Sequence, residues 1–407
     1  MECRRLAAYV LFFLAALHAG VSGAAGRTLT IPDAFTPVLV GFVGDRTAPV
    51  KATDGRWHVV YELWLTNARP VPATLTRLTV LDYDQQSRVL ATLEGATLRE
   101  AMHDLATRPV TDLSLAPNES KLAYVALAFD ALATVPDAIV HRLEGTGAAS
   151  PAARAPAPMR YLAAPWDIAE TTPVVLGPPL AGDAWVVANG CCSGRGAHRG
   201  AILPVGGRLR DAQRFAIDWM RVDAEGRLLR GDPAKVESYL AYDQPLLAVA
   251  DGTVVEVADR FDDQLPGSLP DPQTVTIENV DGNHVILDIG NGLYVFYAHM
   301  KKGSVRPQRG ERVRRGQEIG RLGNTGNSSA PHLHLHVMNA PSALAADGLP
   351  YVFDRFTLRG TLDAERWYDA KSTLEETYRL LPASGGAGPR QDELPLDLDV
   401  VDFPAAP

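Results

Sequence analysis

Three histidines occupy alternate positions in His332-Leu-His-Leu-His336, out of ten in the whole chain. In a β-strand successive side chains point to opposite faces, so His332, His334 and His336 would share one face while Leu333 and Leu335 pack behind them. Imidazole nitrogen is a good zinc donor, at roughly 2.0–2.1 Å. Residues four apart on a strand are separated by about 13 Å along the backbone, which keeps His332 and His336 from sharing one ion. A neighbouring pair is therefore the expected ligating unit. A solvated polar strand is the plainer alternative, but Lys, Thr or Glu would serve it equally well.

The elements that must hold these side chains read as short β-strands. Residues 245–258 read as strand, Asp-Gly turn, strand, and further β-like runs follow at 275–279, 284–288, 293–300, 312–313 and 332–338. Glycines recur at 310, 316, 320, 323 and 326, as a compact all-β core with many turns requires. Upstream, from Arg27 to about Gly147, apolar runs of period two such as His58–Thr66 and Lys121–Phe129 indicate an antiparallel, immunoglobulin-like sandwich, with one short helix expected between Leu98 and Leu105. No acid pair, nucleophile elbow or metal spacing occurs there, so a structural or partner-binding module is expected, its partner unspecified. The fold class expected is all-β throughout.

The outer segments complete this organisation. Arg4 and Arg5 precede an apolar run from Leu6 to Leu17 and small residues follow, so residues 1–25 read as a secretory signal peptide. The run is shorter than the roughly 20 residues a membrane-spanning helix needs. Export to the periplasm, cell envelope or extracellular space is expected, with no transmembrane segment in the mature chain. Residues 26–147 form the expected sandwich, and 148–180 a linker and approach segment, because 146–158 are mostly Ala, Pro, Gly and Ser. The histidine-bearing domain spans 181–378. Residues 379–407, acidic and rich in Pro and Gly, are expected to be a disordered tail. A formal charge of −9 leaves no basic field to hold nucleic acid.

Residues 282–337 resemble the lysostaphin-type (LytM-like) zinc metallopeptidases that cut the peptide cross-links of bacterial peptidoglycan and share a duplicated hybrid motif β fold. The matching pieces are Gly-Asn-His-Val-Ile-Leu (282–287), Tyr-Ala-His (297–299), residues 309–320 ending in Gly-Gln-Glu-Ile-Gly, Gly-Asn-Thr-Gly (323–326) and Pro-His-Leu-His (331–334). With residues 245–257 they cover about a quarter of the chain. The resemblance implies Asp218 and His334 as zinc ligands. It makes His299 and His332 the catalytic pair that activates water and stabilises the oxyanion. His284 falls outside the motif.

One position departs from this family pattern. Where the resemblance places a third ligand histidine, four residues before Asp218, this chain has Arg214. A guanidinium has no free lone pair and stays protonated, so it cannot ligate. Three readings follow. His198 or His336 substitutes as third ligand and the enzyme hydrolyses peptides; or Arg214 pairs with Asp218 and the domain is an inactive relative that binds peptidoglycan or regulates a cell-wall hydrolase; or the groove serves an unrelated ligand. Cys191 and Cys192 adjoin this region, and a local loop role is favoured for them over metal binding. The stretch from Trp219 to Tyr242 is a candidate lid over the groove.

Overall fold

A computed structural model describes residues 27–170, 172–192, 197–369 and 376–405. The signal-peptide reading lies outside these residues. The protein is mostly β, built from several antiparallel sheets, and its main strands are β1 (Val38–Val43), β2 (Trp57–Asn67), β3 (Ala73–Asp82), β4 (Val89–Glu94), β5 (Met102–Asp104), β6 (Ser120–Phe129), β7 (Ala138–Gly147) and β8 (Ala157–Asp167) in the first part. A short helix α1 (Gly95–Ala101) links β4 to β5, a few residues earlier than the expected position. In the second part they are β9 (Gly182–Ala188), β10 (Ile217–Arg221), β11 (Pro245–Leu247), β12 (Gly252–Ala258), β13 (Asn283–Gly290), β14 (Leu293–Met300), β15 (Glu318–Arg321), β16 (Leu333–Met338), β17 (Phe356–Leu362) and β18 (Asp399–Phe403).

Two sheets face each other in the first part, in the orders β1-β2-β6-β5 and β8-β7-β3-β4. Alternation in β2 explains the core: Val59, Tyr61, Leu63 and Leu65 project into the space between the sheets and meet Leu75, Leu78, Val80, Val125, Leu143 and Tyr161. The opposite face of β2 is buried as well. Val60 packs into the core of the second part, and Glu62 has no exposed surface. The second part is organised by a large sheet in which β12, β13, β14, β16, β10, β9, β18 and β17 lie side by side in that order. Trp185, Trp219, Tyr297, Leu333 and Leu335 build its core. Among the described residues no helix is long and apolar enough to cross a membrane.

Several expectations need correction. The segment read as linker contributes β8, paired with β7, and its alternate residues Met159, Tyr161 and Ala163 are buried in the sandwich core. Small residues and prolines hid an alternation that starts only at Met159. Beyond it, Val174–Leu176 pairs in parallel with Tyr351–Phe353, so the approach segment is also held. The supposed disordered tail supplies β18, between β9 and β17, with Val400, Val401 and Phe403 buried. Three of its acidic residues are matched: Asp399 accepts from Thr53, Asp402 pairs with Arg359 and Glu393 with Lys51. Residues 275–279 form turns instead of a strand, leaving Ile277 exposed. Finally, β11 and β12 do not pair with each other, since β11 joins β15 while β12 joins β13.

Candidate metal and catalytic site

The site is assembled by three adjacent strands. Register places Asp218 of β10 opposite His334 of β16, and His334 opposite Ala298 of β14. Ile217 and Trp219 point into the core, so Asp218 must point the other way, onto the face that carries His334. Leu333 and Leu335 likewise fix the side taken by His334 and His336. His332 precedes β16 and His299 sits near the end of β14, with a φ of 60°, a left-handed conformation uncommon for a residue with a Cβ. Such conformations persist where the surroundings enforce them. Next to it, Gly282 (φ 62°) lets the chain approach Thr325 so closely that a Cβ would meet its hydroxyl at 2.4 Å.

Three imidazoles converge on one oxygen of Asp218. His334 Nδ1 lies 3.0 Å, His198 Nε2 3.1 Å and His332 Nε2 3.2 Å from Oδ1, while Asn189 Nδ2 donates to Oδ2 at 2.8 Å. The far nitrogens are tied down too. His198 Nδ1–H donates to the carbonyls of Asn189 and Ala216, both at 3.0 Å, and His332 Nδ1–H donates to Ala330 O at 2.7 Å. His299 Nδ1–H donates to Thr325 O at 2.7 Å. Because a carbonyl can only accept, Nδ1 of each ring carries a proton, and Nε2 is the nitrogen left to face the site. Asn189 and Thr325 were not singled out from the sequence. Both act through contacts made only on folding.

Of the two substitutes expected for the third ligand, the structure brings His198 to the cluster. His198, Asp218 and His334 each offer a ligand atom, and these atoms lie within 4.8 Å of one another. His336 stands behind: its Nδ1 meets His334 Nε2 at 2.9 Å, its ring lies against Phe296, and its own Nε2 is buried without a partner among the described residues. Arg214 does not pair with Asp218. Its Nε donates to Glu62 Oε2 at 2.7 Å and lies 3.3 Å from Asp211, and Nη2 donates to Val43 O. The alternative reading in which Arg214 pairs with Asp218 is thereby corrected, because Glu62 and Val43 of the sandwich and the neighbouring Asp211 take its donors. Cys191 and Cys192 are joined to each other as a disulfide and are not free as ligands.

Charge within the cluster follows from burial and proximity. Burial opposes ionisation of Asp218, but His198 and His332 outweigh it and hold the carboxyl well below its ordinary range. Burial likewise opposes a charge on His198 and His332, and Asp218 reverses that, raising both. His334 is pushed down to about 4 by burial, and His299 is driven well below its ordinary value by burial and then by the charges of His332 and His334. The site opens into a cavity of about 410 Å³ lined by all five of these residues, with Leu269 and Asp281 on its walls. No residue from 219 to 242 lines it. Leu228 and Tyr239 pack instead in a separate core with Val186 and Met220, so the lid expectation fails.

A family model described as "Peptidase family M23" matches residues 236–346, about a quarter of the chain. That stretch includes His299, His332, His334 and His336 but not His198 or Asp218. The chain is 42% identical over 57 residues to the peptidoglycan DD-endopeptidase ShyA of Vibrio cholerae serotype O1, a match covering 14% of this chain and 13% of that protein. Among solved structures, it resembles the catalytic domain of the antimicrobial peptidase lysostaphin from Staphylococcus simulans at 22% identity and a TM-score of 0.22, covering 36% of this chain and 80% of that one. A putative peptidase M23 from Pseudomonas aeruginosa aligns at 15% identity and a TM-score of 0.24, covering 69% and 93%. Residues 236–346 thus match a domain of peptidase family M23.

Proposed function

We propose that the protein is an exported zinc metalloendopeptidase that hydrolyses peptide bonds of peptidoglycan cross-links, with His198, Asp218 and His334 as its metal ligands. The observation that carries this reading is the convergence of two imidazoles and a carboxylate beside two further histidines in one cavity. The donor set suits zinc, since three protein ligands leave a position for water or substrate. A zinc ion held there would polarise the scissile carbonyl and bring the pKa of water towards neutrality. The other steps fall to the chain itself. His299, anchored through Nδ1–H on Thr325, keeps Nε2 free to take the proton of the attacking water. Water oxygen bonds to the carbonyl carbon, the carbon–nitrogen bond breaks, and the proton passes to the departing amine. His332, anchored on Ala330 and raised in pKa, can donate to the oxyanion.

The test is metal content and hydrolysis of purified peptidoglycan. About one zinc per chain is expected in the wild type, lost together with hydrolysis in His334→Ala and His198→Ala and retained in His336→Ala. Hydrolysis unchanged in His334→Ala would refute the reading. Absence of zinc after loading, with wall binding that survives chelator, would favour an inactive wall-binding protein instead.

A further inference from the structure

Glu62 sits mid-strand in β2 with no exposed surface, on the face turned away from the sandwich core. An isolated carboxylate there would be strongly disfavoured. Two guanidinium groups hold it: Arg199 Nε donates to Oε1 and Arg214 Nε to Oε2, each at 2.7 Å. Arg199 also donates through Nη2 to the carbonyls of Tyr61 (3.0 Å) and Val125 (2.7 Å) in the sandwich, and through Nη1 to Cys192 O (2.9 Å). Arg199 and Arg214 are 4% and 2% exposed. Buried ion networks seldom add net stability over apolar packing of the same volume, and their best-supported use is to specify one arrangement.

What this network specifies is the position of the next residue. His198 precedes Arg199 directly and lies outside the described strands; the segment that follows it docks on the sandwich, where Ile202 packs against Val43, Leu122 and Tyr124. Asp218 and His334 are set by neighbouring strands of one sheet, whereas His198 reaches them from a segment held on another.

We infer that Glu62 is a positioning residue of the metal site: through Arg199 it holds His198 Nε2 against Asp218 and His334, so that the N-terminal sandwich completes the ligand set. Arg214 joins the same clamp by filling the second oxygen of Glu62. The position where the family resemblance places a ligand thus serves in this chain to fasten the substitute ligand's support. The inference rests on the ligand assignment proposed above.

The experiment uses the full chain and measures zinc affinity by chelator competition, together with the visible spectrum of the cobalt(II)-loaded protein, which reports the ligand set independently of activity. Glu62→Gln should weaken zinc binding about ten- to a hundredfold and shift the cobalt bands, as loss of a ligand's supporting partner does. In a His198→Ala background, where the residual binding is compared at raised cobalt(II) concentration, the same substitution should produce no further change. Equal weakening with and without His198, or wild-type affinity and spectrum in Glu62→Gln, would overturn the inference. If Glu62→Gln does not fold, Arg199→Lys, which leaves the Glu62–Arg214 pair in place, should show the same weakening, and wild-type affinity there would also overturn it. Loss of zinc in His198→Ala with none in Glu62→Gln refutes the clamp alone; a wild type that binds no zinc refutes the ligand assignment and the clamp with it.

Discussion

His299 and His332 stand with ring centroids 4.7 Å apart, each anchored through Nδ1 on a backbone carbonyl. In the proposed reaction neither is a ligand, so His299→Ala should retain zinc while kcat falls about 10²–10⁴-fold, the usual contribution of a general base. Loss of zinc in that variant would make it structural instead. Another histidine supplies a separate pH test. His141 is fully buried in the sandwich, where its Nδ1–H donates to Ala164 O and its Nε2 accepts from the Tyr61 hydroxyl at 2.8 Å. Burial pushes its pKa down to about 4, against an ordinary value of 6.5. Between those values the unfolded chain binds a proton that the folded chain does not. Stability contributed by the neutral ring is therefore present above pH 6.5 and lost as pH falls towards 4, on the order of 3 kcal/mol in full. His141→Gln should lose less stability than the wild type between pH 7 and pH 4.5 in urea titrations. Identical losses would exclude this role.

At the scale of elements, β18 carries the greatest consequence for so short a piece. Five residues from the end of the chain join β9 to β17, and β9 in turn pairs with β10, which bears Asp218. Val401 is fully buried between them. Val401→Ala should destabilise by roughly 1–3 kcal/mol through lost transfer energy and the cavity left behind. Removing residues 391–407 would uncover two long strand edges, and an aggregating product is expected. A soluble truncated chain with native circular dichroism would contradict that placement. Asn189 and His198 are the other sensitive points, since both contact Asp218 without a strand of their own.

For the whole molecule, the two cores are joined rather than merely adjacent. Val50 and Val60 of the sandwich belong to the core built around Trp185 and Trp219, and Glu62 binds two arginines of the second part. Exposing either partner alone would leave apolar surface and charges uncovered. A single calorimetric unfolding transition is therefore expected, with van't Hoff and calorimetric enthalpies in agreement. Two resolved transitions would show that the interface contributes little.

Much of the site was legible in the chain because it depends on local spacing. Alternation alone directs His334 to one face and Leu333 and Leu335 to the other, and the resemblance to the lysostaphin type pointed to Asp218, His299 and His332. Strands β11 to β14 and β16 followed from their apolar runs, whereas 275–279 formed none, β9, β10, β15 and β17 were not read from the sequence, and β8 and β18 were hidden by proline, alanine and acidic residues whose burial depends on distant partners. The choice between His198 and His336 was likewise undecided by spacing, since either could be drawn towards His334. Only the tertiary structure brings His198 rather than His336 beside Asp218, and in the proposed clamp what holds it in reach is a carboxylate 137 positions before Arg199. Strand periodicity is a property of neighbours in sequence; the pairing of Glu62 with Arg199 and Arg214 exists only once two separately formed sheets exclude water between them.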